Sequence, residues 1–338
     1  VAAVWRPRAL WVSLLLVGAA VVLAILGAGL GDFPMTPREV VTVALGGGDE
    51  TQRLVLLELR LPRVAAAILV GAALGASGAI TQSLARNALA SPDVLGVTAG
   101  ASAAAVAAIV LGSAATAAAT PVGLLAPAAL AGGLVSACAV VLLAWRGGLD
   151  GLRLVLVGIG IGAMLTAVTT WLLVAASITD ATRATLWLTG SLATVSWSLV
   201  VPLAVTVVLG GLVALMGSFT LSALRFGDDT ARALGVRVQA GRVVLVLTAV
   251  ALASVAVAAA GPIAFVALVA PQVAMRLTHA AGPPVLAGAL VGAVLLLASD
   301  LVARVVLPVE LPVGIVTAVV GAPYLLFLLA RRHREVLA

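Results

Sequence analysis

The sequence predicts an all-α, polytopic membrane protein, and three observations carry that class. Apolar runs recur from end to end, and about 20 consecutive apolar residues are enough for a helix to cross a bilayer. Only 9% of the 338 residues are charged while 63% are hydrophobic; a soluble domain carries about 25% charge, so this chain has too little polar surface to cover itself in water. Glycine (35 residues) and alanine are plentiful and aromatics scarce, which suits helices that associate in lipid by close backbone packing.

The runs give ten spans, at 10–30, 64–84, 94–111, 122–145, 154–175, 197–216, 243–260, 262–277, 285–306 and 311–329. The first follows Arg6 and Arg8 and ends in small residues near Gly29, a pattern shared with signal peptides; roughly 21 apolar residues is long for their core, so it reads as a retained span. A moderately polar stretch at 31–63 follows, with Pro34, Pro37 and a GGGDE turn. Gly261-Pro262 leaves almost no loop between spans seven and eight. Proline also kinks single helices, but the joined run is too long for one crossing. The Ala-rich piece 112–120 is a loop or a helix end. The glycines of GAALGASGA (71–79) repeat at helical spacing. Those of VGIGIGA (157–163) resemble a dinucleotide loop only superficially, because no strand precedes them; close helix packing explains both. No tandem repeat or linker divides the chain, so residues 1–338 form one transmembrane domain.

Arginine placement sets the orientation. With the N-terminus inside, ten spans return the C-terminus inside. Thirteen arginines (Arg6, Arg8, Arg86, Arg146, Arg153, Arg225, Arg232, Arg237, Arg242, Arg276, Arg331, Arg332, Arg334) then face the cytoplasm, against six outside (Arg38, Arg53, Arg60, Arg63, Arg183, Arg304). The same placement accounts for the net charge of +6 without a nucleic-acid partner; membrane lipid is the surrounding partner. Cys138 is the one cysteine and His279 and His333 lie far apart, so neither a disulfide nor a metal site is expected. No Walker A sequence and no catalytic constellation is present.

Four polar features remain. RLPR (Arg60 to Arg63) opens span two at its outer mouth, either anchoring a helix end or offering cations to an acidic partner. In SDLVAR, Asp300 and Arg304 are four apart and pair on one helix face; an acid in a span is costly unless paired. TQSLARNALASPD (81–93) is an ordinary inner turn or an inner gate carrying Gln82, Arg86 and Asn87. FGDDTARALGV (226–236) reads as a short inner helix: Asp228 and Asp229 suit its positive N-terminus, Ala231 and Leu234 make a small apolar contact face, and Gly235 suits a left-handed stop. Arg232 completes this island. Only about two turns form, so packing must hold them.

Together, RLPRVAAAILVGAALGASGAITQSLARNALASPDVLGVTAGAS, GDDTARALGV, AGPIAFVALVAPQ and SDLVARVVLPVELPVGIVTAVVGAP resemble the FecCD-type permeases of ATP-binding-cassette importers for iron–siderophores, haem and vitamin B12, over about residues 60–329. LLAWRGGLDGLRLVLVGIGIGAM with TWLL is especially similar to ferric-enterobactin permeases, implying a catecholate-type ferric siderophore. The resemblance implies the type II importer permease fold in a bacterial cytoplasmic membrane, with no cofactor on this chain. It also implies a second permease subunit (a heterodimer, with a homodimer as the alternative), two cytoplasmic ATPases carrying ATP and Mg, and an extracytoplasmic solute-binding protein. It assigns Arg60, Arg63 and Arg304 to docking of that protein. Asp228, Asp229, Ala231, Arg232, Leu234 and Gly235, within a loop at about 218–242, couple to the ATPase, and Asn87 and Leu89, with Gln82 nearby, form the inner gate. Two departures stand out: Ala88 replaces a proline, and Gln272 stands where relatives often have histidine, so no imidazole role passes to it. The alternative class, an ion-driven secondary transporter, needs membrane carboxylates, for which Asp300 is the sole candidate.

Overall fold

The computed structural model describes residues 7–31, 33–116, 122–306 and 309–337, with side chains described except at 114–116, 122 and 327–337. Arg6 and residues 117–120 of the Ala-rich piece lie outside the described residues, as do the side chains of Arg331, Arg332 and Arg334; residues 112–116 form the end of a helix. Among the described residues every regular element is a helix. In chain order these are α1 (Pro7–Gly29), α2 (Pro37–Ala44), α3 (Glu50–Arg53), a π-helical segment Leu54–Arg60, α4 (Leu61–Ala85), a 3₁₀ turn Pro92–Leu95, α5 (Val97–Thr116), α6 (Val122–Ala144), α7 (Gly151–Ala175) and α8 (Ile178–Leu188). Then follow α9 (Trp197–Met216), α10 (Ser218–Leu224), α11 (Asp228–Ala233), α12 (Val238–Ala260), α13 (Val266–Thr278), α14 (Val285–Leu301), a second π-helical segment Val302–Val306 and α15 (Val313–Leu337).

Helix starts follow local chemistry. Thr36 accepts from the Glu39 amide while the Glu39 carboxylate takes the Thr36 amide at 2.7 Å, a capping box with Pro37 in the first turn. Asp49 and Gln52 repeat the box at α3, and Asp150 and Ser177 cap α7 and α8. Among the described residues seven helices are long and apolar enough to cross a membrane, and three shorter apolar ones are Val97–Ser113, Val266–Thr278 and Val313–Leu326. α1 packs on α14 and α13 as part of the bundle.

The bundle is built around α4, which packs against α14, α12, α13 and α9. A methyl group on Gly71 would stand 2.3 Å from the Gly292 carbonyl oxygen, on Gly75 2.2 Å from that of Gly288, and on Gly78 1.8 Å from that of Ala267. Backbones at this approach exclude any side chain, so the GAALGASGA packing expectation holds. In VGIGIGA it holds only for Gly158, whose added methyl would meet the Val94 oxygen at 1.7 Å; Gly160 and Gly162 have nothing within 4 Å and lie on the open face of α7.

Three boundaries differ from expectation. The second crossing is one continuous helical run, Glu50–Ala85, because α3 and the π-helical segment prolong α4 outward. α8, in the 176–196 connection, is a helix of mixed polarity whose weak apolar signal hid it. α13 starts at Val266 rather than at residue 262. Gly261 (φ +72°) and Phe265 (φ +68°) take the left-handed region and hold the intervening residues out of the helix. Such broken backbone at membrane depth survives where protein buries it.

Candidate functional site

The alternating crossings leave two polar ends. At one end the two arginines of RLPR and the arginine of SDLVAR come together. Arg60 is buried (7% exposed) and its guanidinium donates to the carbonyls of Ala28 (2.9 Å), Gly29 (3.2 Å) and Phe33 (2.7 Å). Arg304 reaches the carbonyls of Gly27 (2.6 Å) and Leu30 (3.4 Å). Both therefore satisfy the orphan carbonyls that end α1 and complement its negative pole. Arg63 holds Asp300 through Nη2 (2.9 Å) and Nε (3.0 Å), and Glu310 through Nη1 (2.6 Å). The expected Asp300–Arg304 pair is secondary: Arg304 Nε stands 3.9 Å from Asp300 Oδ2 and has no hydrogen bond. Three guanidiniums thus face two carboxylates, and the exposed member is Glu310, with 54% of its side chain open. Glu310 lies within the quoted SDLVARVVLPVELPVG segment but had no role assigned; its proximity to Arg63, 247 residues away, is a product of the fold.

At the other end α11 begins at Asp228, as the paired aspartates predicted. Its stop is a Schellman motif: Gly235 (φ +80°) donates to the Arg232 carbonyl at 2.9 Å and Val236 to that of Ala231 at 3.0 Å. The expected Ala231–Leu234 face is not formed. Ala231 is fully buried against Ala223, Leu224 and Val238, so it fastens α11 to the bundle, while Leu234 is 54% exposed and Phe226, ahead of α11, 74% exposed. In six helical residues an i, i+3 offset leaves the last residue beyond the helix, turned by the cap. Asp229 pairs outward with Arg232 at 2.7 Å.

Asp228 does more than face a dipole. Its Oδ1 accepts from Arg86 Nη2 and from Arg242 Nη2, each at 2.8 Å. Arg86 ends α4 in the left-handed region (φ +49°) and also donates to the Leu224 carbonyl at 3.0 Å. Arg242 is buried in α12 and also donates to the Leu149 carbonyl ahead of α7. One carboxylate therefore joins α11, the turn after α4 and the start of α12. Burial pushes the Asp228 carboxyl up, but the Arg242 hydrogen bond and charge, with Arg86 and Arg232 behind, outweigh it and hold it below the usual carboxylate range.

The turn after α4 closes without a proline at position 88: Asn87 Oδ1 accepts from the Leu89 amide at 3.0 Å and the Asn87 carbonyl from that of Ala90 at 3.1 Å. Gln82 is buried deeper than a gate residue. It donates to the Leu268 carbonyl at 3.0 Å and accepts from Gln272 Nε2 at 2.6 Å, tying α4 to the broken start of α13. Gln272 thus has a structural partner that needs no imidazole. Beside this pair a cleft of about 340 Å³ opens, lined by Arg86, Asn87, Arg225 and Met275 among others.

A bundle of long apolar helices with ion-pair clusters at its two ends defines a multi-pass membrane protein. The FecCD transport family matches residues 16–331. The ferric enterobactin transport system permease protein FepG of Escherichia coli is 44% identical over 329 residues, 97% of this chain and 98% of the relative. The achromobactin transport system permease protein CbrC of Dickeya dadantii is 41% identical, covering 95% of this chain and 90% of the relative. The solved structure of a metal-chelate type ABC transporter in an inward-facing conformation superposes with a TM-score of 0.83 at 27% identity, over 94% of this chain and 98% of the other. The chain belongs to the FecCD transport family: it is an integral membrane permease of an ATP-binding-cassette importer, with ATP hydrolysis on a separate subunit.

Proposed function

We propose that this chain is one of two permease subunits of an importer that carries a ferric siderophore, of catecholate type, into the bacterial cytoplasm. The observation that carries the reading is the 44% identity, over nearly the whole chain, with a ferric enterobactin permease; the similarity to an achromobactin permease supports it. The arginine excess at the Asp228 end supports placing that end, and both termini, in the cytoplasm. The partners are a second permease, for which the enterobactin likeness favours a related but different chain, two ATPases that bind ATP and Mg, and a solute-binding protein outside.

The geometry divides the roles. Arg63, with exposed Glu310 beside it, is the docking point for a carboxylate of the binding protein; Arg60 and Arg304 stand behind it and fix the end of α1. Leu234 and Phe226 present the apolar contact to the ATPase, flanked by Asp229 and Arg232, while Asp228, Ala231 and Gly235 hold α11 in place. Asn87 and Leu89 form the inner gate and Gln82 braces it. Asp300, ion-paired with Arg63, is no free carboxylate for an ion-driven carrier.

The test is uptake of radiolabelled iron into vesicles holding the reconstituted importer, with ferric catecholate, hydroxamate and citrate chelates, haem and cobalamin as the panel. ATP-dependent accumulation of the catecholate is expected. Preference for another cargo overturns the substrate, and accumulation driven by an ion gradient without ATP overturns the mechanism.

A further inference from the structure

We propose that the cavity beneath α8 is a cargo subsite, where Arg183 and Trp187 receive an anionic aromatic arm of the iron chelate after it leaves the binding protein. This rests on the reading of the chain as an importer of such chelates. The cavity, of about 340 Å³, lies at the Arg60 end and is lined by Arg183, Trp187, Ser191, Thr194, Ile109 and Leu125, among others. That volume is within the range of small-ligand sites; it fits one arm of a bulky chelate.

Arg183 and Trp187 are four residues apart on α8, so they share a face. The guanidinium makes no hydrogen bond and no ion pair, and its charge acts only through space on Asp180, one turn earlier. Among the described arginines without a hydrogen bond or ion pair, Arg38, Arg146 and Arg237 are exposed, whereas Arg183 is half-buried at a cavity wall. The nearest carboxylate on its helix, Asp180, is engaged elsewhere: its Oδ2 accepts from Ser113 Oγ at 2.7 Å and Ser177 Oγ at 2.8 Å. A half-buried cation without a hydrogen-bonding partner is costly, and an anion entering beside it recovers that cost. Guanidinium and indole together suit a planar, electron-rich anion, which stacks on one and pairs with the other.

The site is held rigid. The Ser191 amide, just after α8, donates to the Ala260 carbonyl at 2.8 Å, and the Gly314 amide, at the start of α15, donates to that of Gly190 at 3.1 Å. Gly190 itself takes φ +72° and lies so close to Pro262 that an added methyl would meet its oxygen at 2.2 Å. α8 is thus fixed to both the break before α13 and the start of α15, and the cavity floor is the end of α12, at Ala259, Ala260 and Gly261.

The experiment uses the complete reconstituted importer with Arg183→Gln, Arg183→Lys and Trp187→Leu, reading uptake of a radiolabelled ferric catecholate and ATP hydrolysis stimulated by the binding protein. Arg183→Gln and Trp187→Leu should each lower uptake per ATP hydrolysed about tenfold, one cation or stacking contact being worth about 1–2 kcal/mol. Stimulated hydrolysis should stay at the wild-type level, and Arg183→Lys should keep most of the uptake. Wild-type uptake by Arg183→Gln and Trp187→Leu overturns the subsite. An equal fall in uptake and hydrolysis marks a structural role and also overturns it. A loss that vanishes when anionic vesicle lipid is replaced by zwitterionic lipid assigns the cavity to a lipid headgroup and not to cargo. If the wild-type importer takes up no iron chelate at all, the functional reading fails and the subsite fails with it.

Discussion

Replacing Asp228 by asparagine keeps the size of the side chain and removes the charge that joins three elements. Arg86 is half exposed, so its bond contributes only about 0.5 kcal/mol. Arg242 is 6% exposed and its Nε already lacks a partner. Stranding a fully buried charge costs about 3–5 kcal/mol; because 29% of the Asp228 side chain is open to water, roughly 2 kcal/mol is the share expected here. The sum is a loss of about 2–3 kcal/mol. A double-mutant cycle with Arg242→Gln, measured by thermal unfolding of the purified importer, should return an interaction energy of about 1.5–2 kcal/mol. Binding-protein-stimulated ATP hydrolysis should uncouple from uptake in the same variants. Additivity within about 0.5 kcal/mol would refute the pin. The pH dependence has a definite sign. The native Asp228 pKa lies below its unfolded value of about 3.9. Its stabilisation is therefore complete above about pH 5 and is lost as pH falls through the native pKa. Asp228→Asn should lack that acid-side loss.

Glu310→Gln frees Arg63 while leaving Asp300 paired, so affinity for the binding protein should rise several-fold in surface plasmon resonance, about 1 kcal/mol being a factor of five; weaker docking would show that Glu310 belongs to the docking surface itself. Leu234→Asp should leave the permease in the membrane, since the side chain is exposed, yet abolish co-purification with the ATPase; unchanged assembly removes Leu234 from the contact. Gly71→Leu should eliminate stable expression, because the Gly292 backbone occupies its space, whereas Gly160→Leu, with open space around it, should be produced at wild-type level. Equal levels of the two would undo the packing argument for α4.

The apolar helices were legible because one signal, apolar run length, decides most of them. The stop of α11 was legible because Gly235 acts within a few residues of itself; at the start no side chain caps the helix, and Asp228 bonds Arg86, 142 residues away. What failed needed tertiary information. Ala231 and Leu234 share a helix face in projection, but the Schellman turn ends the helix between them and sends one inward and the other out. RLPR read as either a helix-end anchor or a set of docking cations, and two of the three arginines assigned to docking, Arg60 and Arg304, end up on the carbonyls of α1, since a helix ending inside the bundle needs donors that only its neighbours supply. Gln272, read as a missing histidine, turned out to pair with Gln82, 190 residues away, a contact no local pattern encodes.

The position of α4 links these observations. Arg63 lies in its first turn and Arg86 directly after its last, so the outer ion-pair cluster and the Asp228 junction are attached to the two ends of one helix. Its waist is fixed where Gly71, Gly75 and Gly78 touch the backbones of α14 and α13, with no side chain between to act as a compliant layer. Packed interiors deform little and shift between discrete arrangements. A displacement at Arg63 therefore moves α4 with α13 and α14 as one body, and the compliance must lie at the ends of that body. Those ends are the backbone left-handed at Arg86, Gly261 and Phe265 and the two π-helical segments, where hydrogen-bond registers change. α7, whose Gly160 and Gly162 face open space, packs mainly on α5, α6 and the 3₁₀ turn and meets α4 only at its start, so it lies outside this group.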